Sequence, residues 1–176
     1  MNIRLATNED FSELRSFYIR MNEVINKRTD LYNEDNAYFP SDEMMLEAIR
    51  GGFLFVGIED AQIVAGMILN HFCDASYANA NWQVHAAADE FTVLHALRIL
   101  PEYEGCGLGR QMVQFMLDHA QETGQKAVRL DVLDGYEGPL KMYTGYGFKH
   151  IDTMEIFYED IGKPMRFKLL EKVLRR

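Results

Sequence analysis

The stretch that most constrains this chain is residues 91–122. A strongly apolar run from Phe91 to Leu100 stops at Pro101, and Glu102-Tyr103 leads into Glu104-Gly105-Cys106-Gly107-Leu108-Gly109-Arg110. Leu108, Met112, Val113, Met116, Leu117 and Ala120 then recur at helical spacing with one apolar stripe, which Thr123-Gly124 ends. Glycines between a strand and a helix let the backbone approach a ligand closely and leave main-chain N–H groups pointing outward. The positive end of the helix dipole adds to those donors, so this spacing predicts an anion cradle that needs no basic side chain.

Other readings compete. Three glycines can simply make a tight turn. A dinucleotide-binding turn has the same strand-to-helix layout, with a strand ending at Asp131, but Arg110 stands where its third glycine belongs. The glycines also begin several residues beyond the strand, behind an antiparallel-looking hairpin. A P-loop is excluded because Gly-Lys-Ser/Thr is absent.

The remaining patterns predict the frame. Ile3–Ala6 reads as a short strand, and Thr7 three residues before Asp10 as the cap of a helix carrying Phe11, Leu14, Phe17, Tyr18, Met21 and Ile25 on one stripe. Lys27 to Phe39 reads as a polar loop; Ser41-Asp42-Glu43 opens a second helix that Gly51-Gly52 closes. Phe53–Ile58 and Ile63–Leu69 form a hairpin about Glu59-Asp60-Ala61-Gln62. Cys73 to Asp89 is too long for a hairpin loop and either lines a site or is a surface excursion. Val128–Val132 is a strand, Gly138–Thr144 a short helix, and the chain from Phe148 two strands about Ile161-Gly162-Lys163-Pro164. The expected fold is α/β (α+β): one mixed sheet with helices on its faces. With 176 residues, 48% of them hydrophobic, a single domain over residues 1–176 is expected.

Eighteen Lys and Arg against 27 Asp and Glu give a charge of −9 with no basic cluster, which argues against nucleic acid as a partner. An acidic surface suits a cationic small molecule or a Lys-bearing peptide, and equally serves plain solubility. Cys73 and Cys106 lie far apart and form no metal or redox motif, so reduced thiols, no metal and a cytoplasmic location are expected. The N-terminus has no signal-peptide pattern, and no run of about 18 apolar residues predicts a membrane span.

The segment from Glu104 to Gly109 resembles the acetyl-CoA motif of the GNAT superfamily of N-acetyltransferases, Arg/Gln-x-x-Gly-x-Gly/Ala after a strand and a Pro. Leu140-Lys141-Met142-Tyr143-Thr144-Gly145-Tyr146-Gly147-Phe148 is similar to that family's Leu-Tyr-x-x-x-Gly-Phe. The resemblance covers nearly the whole chain and implies a mostly antiparallel sheet of about seven strands flanked by about four helices. It implies acetyl-CoA as acyl donor, an amine of a small molecule or peptide as acceptor, and a homodimer. Glu104, Gly105, Cys106, Gly107, Leu108, Gly109 and Arg110 would hold the diphosphate, and the main chain of Leu97, Arg98 and Ile99 the pantetheine arm. Two positions depart from the pattern: Glu104 replaces the basic or amide residue, and Tyr136 falls near a common cofactor-contacting Asn.

The chemistry sets further demands. An alkyl ammonium with a pKa of about 10.4 must lose a proton before attacking a thioester, and the departing thiolate leaves more easily if protonated. By resemblance Tyr143 is the acid; as an isolated residue it reads as a core aromatic. His95 is the leading base, neutral near its ordinary pKa of about 6.5, and simple strand alternation would set it on the face of Leu97 and Ile99. Its other reading is a satisfied core histidine. Glu90 or Asp89, at the start of the same strand, is the alternative base. Cys106, without an activating neighbour, is not a nucleophile. The main-chain N–H near Ile99 is the implied oxyanion donor. An acyl-CoA-binding or sensor module without catalysis stands beside the enzyme as a second reading.

Overall fold

The sequence signals reappear in order in a computed structural model, which describes residues 1–29, 31 and 38–174. Strands β1 (Asn2–Leu5), β2 (Leu54–Glu59), β3 (Gln62–Asn70), β4 (Phe91–Ile99), β5 (Ala127–Leu133), β6 (Lys149–Phe157) and β7 (Pro164–Val173) form one sheet in the order β1-β2-β3-β4-β5-β7-β6. Helices α1 (Phe11–Thr29), α2 (Asp42–Gly51), α3 (Leu108–Glu122) and α4 (Glu137–Gly145) accompany it. The sheet is mixed: β4 and β5 run parallel, whereas β1 with β2, β2 with β3, β5 with β7 and β6 with β7 are antiparallel. Helix α1 runs into the stretch expected to be loop, ending at Thr29; the rest of that expectation falls mostly on residues 30 and 32–37, outside the described residues.

Two compact units divide the chain. The first comprises residues 1–69, 95–112 and 159–162. Its core gathers Leu14, Phe17, Tyr18, Met21, Met45, Leu54, Val56, Val64, Ala96, Leu100 and Leu108. Local signals build its frame. The Ser41 hydroxyl accepts the Met44 N–H at 3.2 Å at the start of α2. Gly52, at φ 69°, ends that helix by returning its N–H to the carbonyls of Ala48 and Ile49. At the other end of the unit's first strand, the Asp10 carboxylate accepts the Thr7 N–H at 2.7 Å and grips Arg4 with both oxygens. Asp60 and Ala61, at φ 47° and 63°, make the tight turn between β2 and β3, where paired left-handed residues match the strands' twist.

The second unit comprises residues 70–94, 113–158 and 163–176, described to 174. Here β5 pairs with β7 over seven residues, and β7 with β6 along nearly its whole length. The excursion from Cys73 to Asp89 is fastened to this frame by side chains far away in sequence. Arg129 of β5 donates through Nε to Glu171 of β7 at 3.0 Å and through Nη2 to the Val84 carbonyl at 2.9 Å. Its guanidinium carbon lies 4.3 Å from the centroid of Trp82 and 4.1 Å from that of Phe91. The second oxygen of Glu171 accepts the Gln83 N–H at 2.7 Å. Both charges are almost sealed from water, 5% and 0% exposed, and tolerable there because each is paired and hydrogen-bonded.

Candidate functional site

The first unit holds His95, Leu97, Arg98, Ile99 and every residue from Glu104 to Arg110; the second holds Glu90, Asp89, Tyr136 and Tyr143. The expected residues of the cradle are thus contiguous within one unit.

Strand β4 is not regular. Its parallel pairing with β5 covers Phe91, Thr92 and Val93, against Ala127, Val128 and Arg129. Three residues further on, Ala96 has φ 52°, in the left-handed region that alanine rarely adopts. Such a residue breaks the two-residue alternation of a strand, so the parity argument linking His95 to the face of Leu97 and Ile99 does not carry across residue 96. The irregularity is held from below: the hydroxyl of Tyr18, completely buried on α1, donates to the Ala96 carbonyl at 3.1 Å. Burial pushes the Tyr18 phenol well above its ordinary pKa of 10, against a smaller opposing effect of Arg98, so it stays a donor. His95 itself is half-buried.

Beyond the irregularity, Arg98 turns Nη1 back to the Leu97 carbonyl at 2.9 Å. Its Nε is buried and has no hydrogen-bond partner among the described residues. The chain then passes Leu100, whose N–H donates to Val64 in β3 at 2.9 Å, and a single 3-10 turn at Pro101–Tyr103.

The glycine turn is open. Glu104, Gly105, Cys106 and Gly107 are exposed, and Leu108 is the first residue to turn inward. Gly105 and Gly107 have φ 78° and 82°, and a Cβ built at either would meet nothing within 4 Å. Conformation, not crowding, therefore requires glycine at both positions. The Cys106 N–H is engaged with the Tyr103 carbonyl at 3.3 Å, and α3 begins its ladder with Gln111 donating to Gly107 at 3.1 Å. The N–H groups of Leu108 and Gly109, in the first turn of that helix, have no intrahelical acceptor and mark the electropositive end of its dipole. Glu104, the acid at a position where the resemblance implies a base or amide, gives both carboxylate oxygens to Arg28 of α1, at 2.7 and 3.1 Å. Sequence reasoning missed Arg28, because 76 residues separate the pair and no local spacing signals it. The residues present fit a diphosphate: outward main-chain donors, exposed Arg110, a neutralised Glu104 and an orphaned buried Arg98 Nε just upstream.

In the second unit, Glu90 lies immediately before β4 and is heavily engaged. Its carboxylate accepts the Ala87 N–H at 2.9 Å and pairs with Lys126, and its carbonyl accepts the Lys126 N–H at 2.7 Å. Asp89 is exposed in the preceding turn. Tyr136 precedes the first turn of α4, half-buried, with its N–H on the Leu133 carbonyl at 3.0 Å. Tyr143 lies on α4, 6% exposed, with its ring edge-on to Phe148 at 5.6 Å. Phe148 returns its N–H to the Tyr143 carbonyl at 3.2 Å, so the Gly147-Phe148 ending locks the helix that carries the tyrosine.

Comparison with known proteins agrees with this architecture. The Drosophila melanogaster protein "Probable N-acetyltransferase san" is 31% identical over 81 residues, which is 46% of this chain and 44% of that protein, so the chain spans less than half of this curated relative. An acetyltransferase of the GNAT family from Streptococcus agalactiae superposes with a TM-score of 0.82 at 16% identity, over 99% of this chain and 96% of that one. The protein yncA from Salmonella typhimurium, solved with its cofactor acetyl-CoA, superposes with a TM-score of 0.71 at 15% identity, over 100% and 95% of the two chains. These structural likenesses establish the fold. The sequence profile of the acetyltransferase (GNAT) family matches residues 14–148, and with that match the chain belongs to this family.

Proposed function

We propose that this chain binds acetyl-CoA and transfers its acetyl group to a primary amine of a small molecule or peptide, by direct attack in a ternary complex. The observation that carries the reading is the exposed turn at residues 104–107, left-handed at Gly105 and Gly107 and running into the first turn of α3, in a member of the GNAT family. Acetyl-CoA, when bound, supplies an acyl group activated as a thioester. Gly105, Cys106, Gly107, Leu108, Gly109 and Arg110 hold the diphosphate, and Glu104 tolerates it because Arg28 carries the opposite charge. The main chain of Leu97, Arg98 and Ile99 holds the pantetheine arm, Arg98 Nε offers a donor, and Tyr136 contributes its hydroxyl where other family members carry an amide. His95 accepts the proton of the attacking amine; Glu90 and Asp89 are the alternative acceptors, with Glu90 disfavoured by its pairing to Lys126. Tyr143 holds the proton that the departing sulfur takes. The exposed free thiols of Cys73 and Cys106 suit a reducing cytoplasm.

Thermal melting with acetyl-CoA tests the binding: a hundredfold excess over the dissociation constant should add about 2.7 kcal/mol of stability. Release of the CoA thiol with a panel of amines tests the transfer. Replacing Tyr143 with Phe should lower turnover at least tenfold with the acetyl-CoA melting shift intact; unchanged turnover removes its role. The acid at residue 104 favours one other reading, an acyl-CoA-binding or sensor module, which predicts the melting shift without thiol release for any amine.

A further inference from the structure

Among the described residues, three that are not glycine have positive φ. Asp60 and Ala61 sit exposed in the turn between β2 and β3, whereas Ala96 lies inside a strand, 7% exposed in the core of the first unit. A non-glycine residue in that region is strained and stays there only when its surroundings hold it, and such residues gather at ligand sites. What holds Ala96 comes from α1.

Tyr18 is 0% exposed, and its hydroxyl donates to the Ala96 carbonyl at 3.1 Å. Gly66 of β3 makes room for that hydroxyl: a Cβ there would stand 2.7 Å from the Tyr18 oxygen and 3.2 Å from both Tyr18 Cζ and Phe17 Cε1. Gly66 is not among the glycines with positive φ, so space and not conformation requires glycine at this position. The Phe17 ring packs edge-on against Tyr18 at 4.9 Å. Four residues of one compact unit thus build a slot for a single hydroxyl. Core packing alone does not ask for it, since Phe would fill the same volume without a polar group that must be paired when buried.

The consequence lies on the far side of the peptide. The unit joining Ala96 to Leu97 is trans, so its carbonyl and its N–H point in opposite directions. With the carbonyl drawn to Tyr18, the Leu97 N–H is aimed away from that tyrosine. The next carbonyl, that of Leu97, accepts Arg98 Nη1 at 2.9 Å. Side chains therefore hold two successive carbonyls past the irregularity, which fixes the course of the main chain into residues 97–99.

We propose that Tyr18 is a positioning residue for the acyl donor: its hydroxyl, lodged by Gly66, holds Ala96 left-handed and so aims the main chain of Leu97, Arg98 and Ile99 at the pantetheine arm. This rests on the donor-binding reading above and adds to it three residues, Tyr18, Gly66 and Ala96, that act on the donor through that main chain.

The test uses the whole chain and acetyl-CoA, with dissociation constants from calorimetry for wild type, Tyr18→Phe, Ala96→Gly and the double variant. Tyr18→Phe keeps the ring and should weaken acetyl-CoA binding by about five- to tenfold, the factor that one ordinary hydrogen bond carries. Glycine takes a left-handed φ without strain, so Ala96→Gly should stay within about twofold of wild type and, added to Tyr18→Phe, should restore most of the lost affinity. A tyrosine that merely fills the core predicts no such rescue, because removing the Ala96 methyl then adds a second defect to the first. Wild-type affinity in Tyr18→Phe, or a loss that Ala96→Gly does not repair, overturns this assignment alone. If Tyr18→Phe does not fold, Gly66→Ala, which crowds the same hydroxyl, must weaken binding, and wild-type affinity there overturns it. Wild-type protein that takes up no acetyl-CoA overturns the donor-binding reading and this one together.

Discussion

Two arginine–glutamate pairs, one on the glycine turn and one on the sheet, show how differently the same chemistry is used. Arg28–Glu104 sits on the surface, with its side chains 41% and 45% exposed; Arg129–Glu171 is nearly dry. Water screens the first pair, so it contributes little to stability and leaves the net charge of the turn adjustable. The second pair has surrendered its hydration, and each partner is the main compensation for the other. A surface pair thus sets the charge beside the proposed diphosphate turn, whereas the sealed pair fastens a seventeen-residue excursion, residues 73–89, to β5 and β7.

The largest expected effect comes from breaking the sealed pair. Glu171→Gln leaves the Arg129 charge buried without its counter-ion and should cost about 3–5 kcal/mol in urea unfolding. A loss under about 1 kcal/mol would erase the contrast. Next, Gly107→Ala tests whether the turn depends on backbone conformation as distinct from charge. With open space around the Cβ, the left-handed strain alone should cost about 1–2 kcal/mol and should weaken the acetyl-CoA melting shift.

Arg4–Asp10 lies between the extremes, with side chains 39% and 12% exposed. The Arg4 guanidinium, chiefly by hydrogen bonding and helped by the Thr7 groups, lowers the Asp10 carboxyl from its ordinary 3.8 to about 2. Because the folded value is the lower one, the stabilisation is complete above about pH 4 and fades as pH falls towards 2. Asp10→Asn should remove up to one proton from the pH slope of stability in that window and cost about 1 kcal/mol at neutral pH. An unchanged slope would place this pair with the surface class.

The smallest effect on stability belongs to Glu104→Gln, under about 1 kcal/mol. Its effect on ligand should run the other way: with a negative charge removed beside Arg28, acetyl-CoA binding should tighten by roughly two- to fivefold at low salt and lose that gain at high salt. Weaker binding would show that Glu104 supports the site.

Much of the frame could be read in advance because its signals are local. Ser41 and Gly52 bound α2, the six apolar residues of the α3 stripe are all buried, and the order of strands and helices follows the expected sequence. The glycine turn was equally legible, since strand, proline, glycines and helix lie within one stretch of chain. What escaped was set by distant partners. Ala96 gives no hint of a left-handed conformation, and the tyrosine whose hydroxyl meets its carbonyl lies 78 residues earlier. Arg129 finds Glu171 42 residues on, and Asp131 collects hydroxyls from 54 residues before it and 27 after. Charge and hydroxyl pairings of this range carry no periodicity, so only the folded chain displays them.

The two exposed cysteines have a practical outcome. Cys106 forms part of the glycine turn, whereas Cys73 opens the excursion, its thiol pushed up in pKa chiefly by burial. Alkylation with iodoacetamide therefore runs two clocks in one unmodified protein. If a nucleotide thioester seats at the turn as proposed, the Cys106 clock should slow, with Cys73 as the internal reference, so mass spectrometry can score occupancy before any acceptor is known.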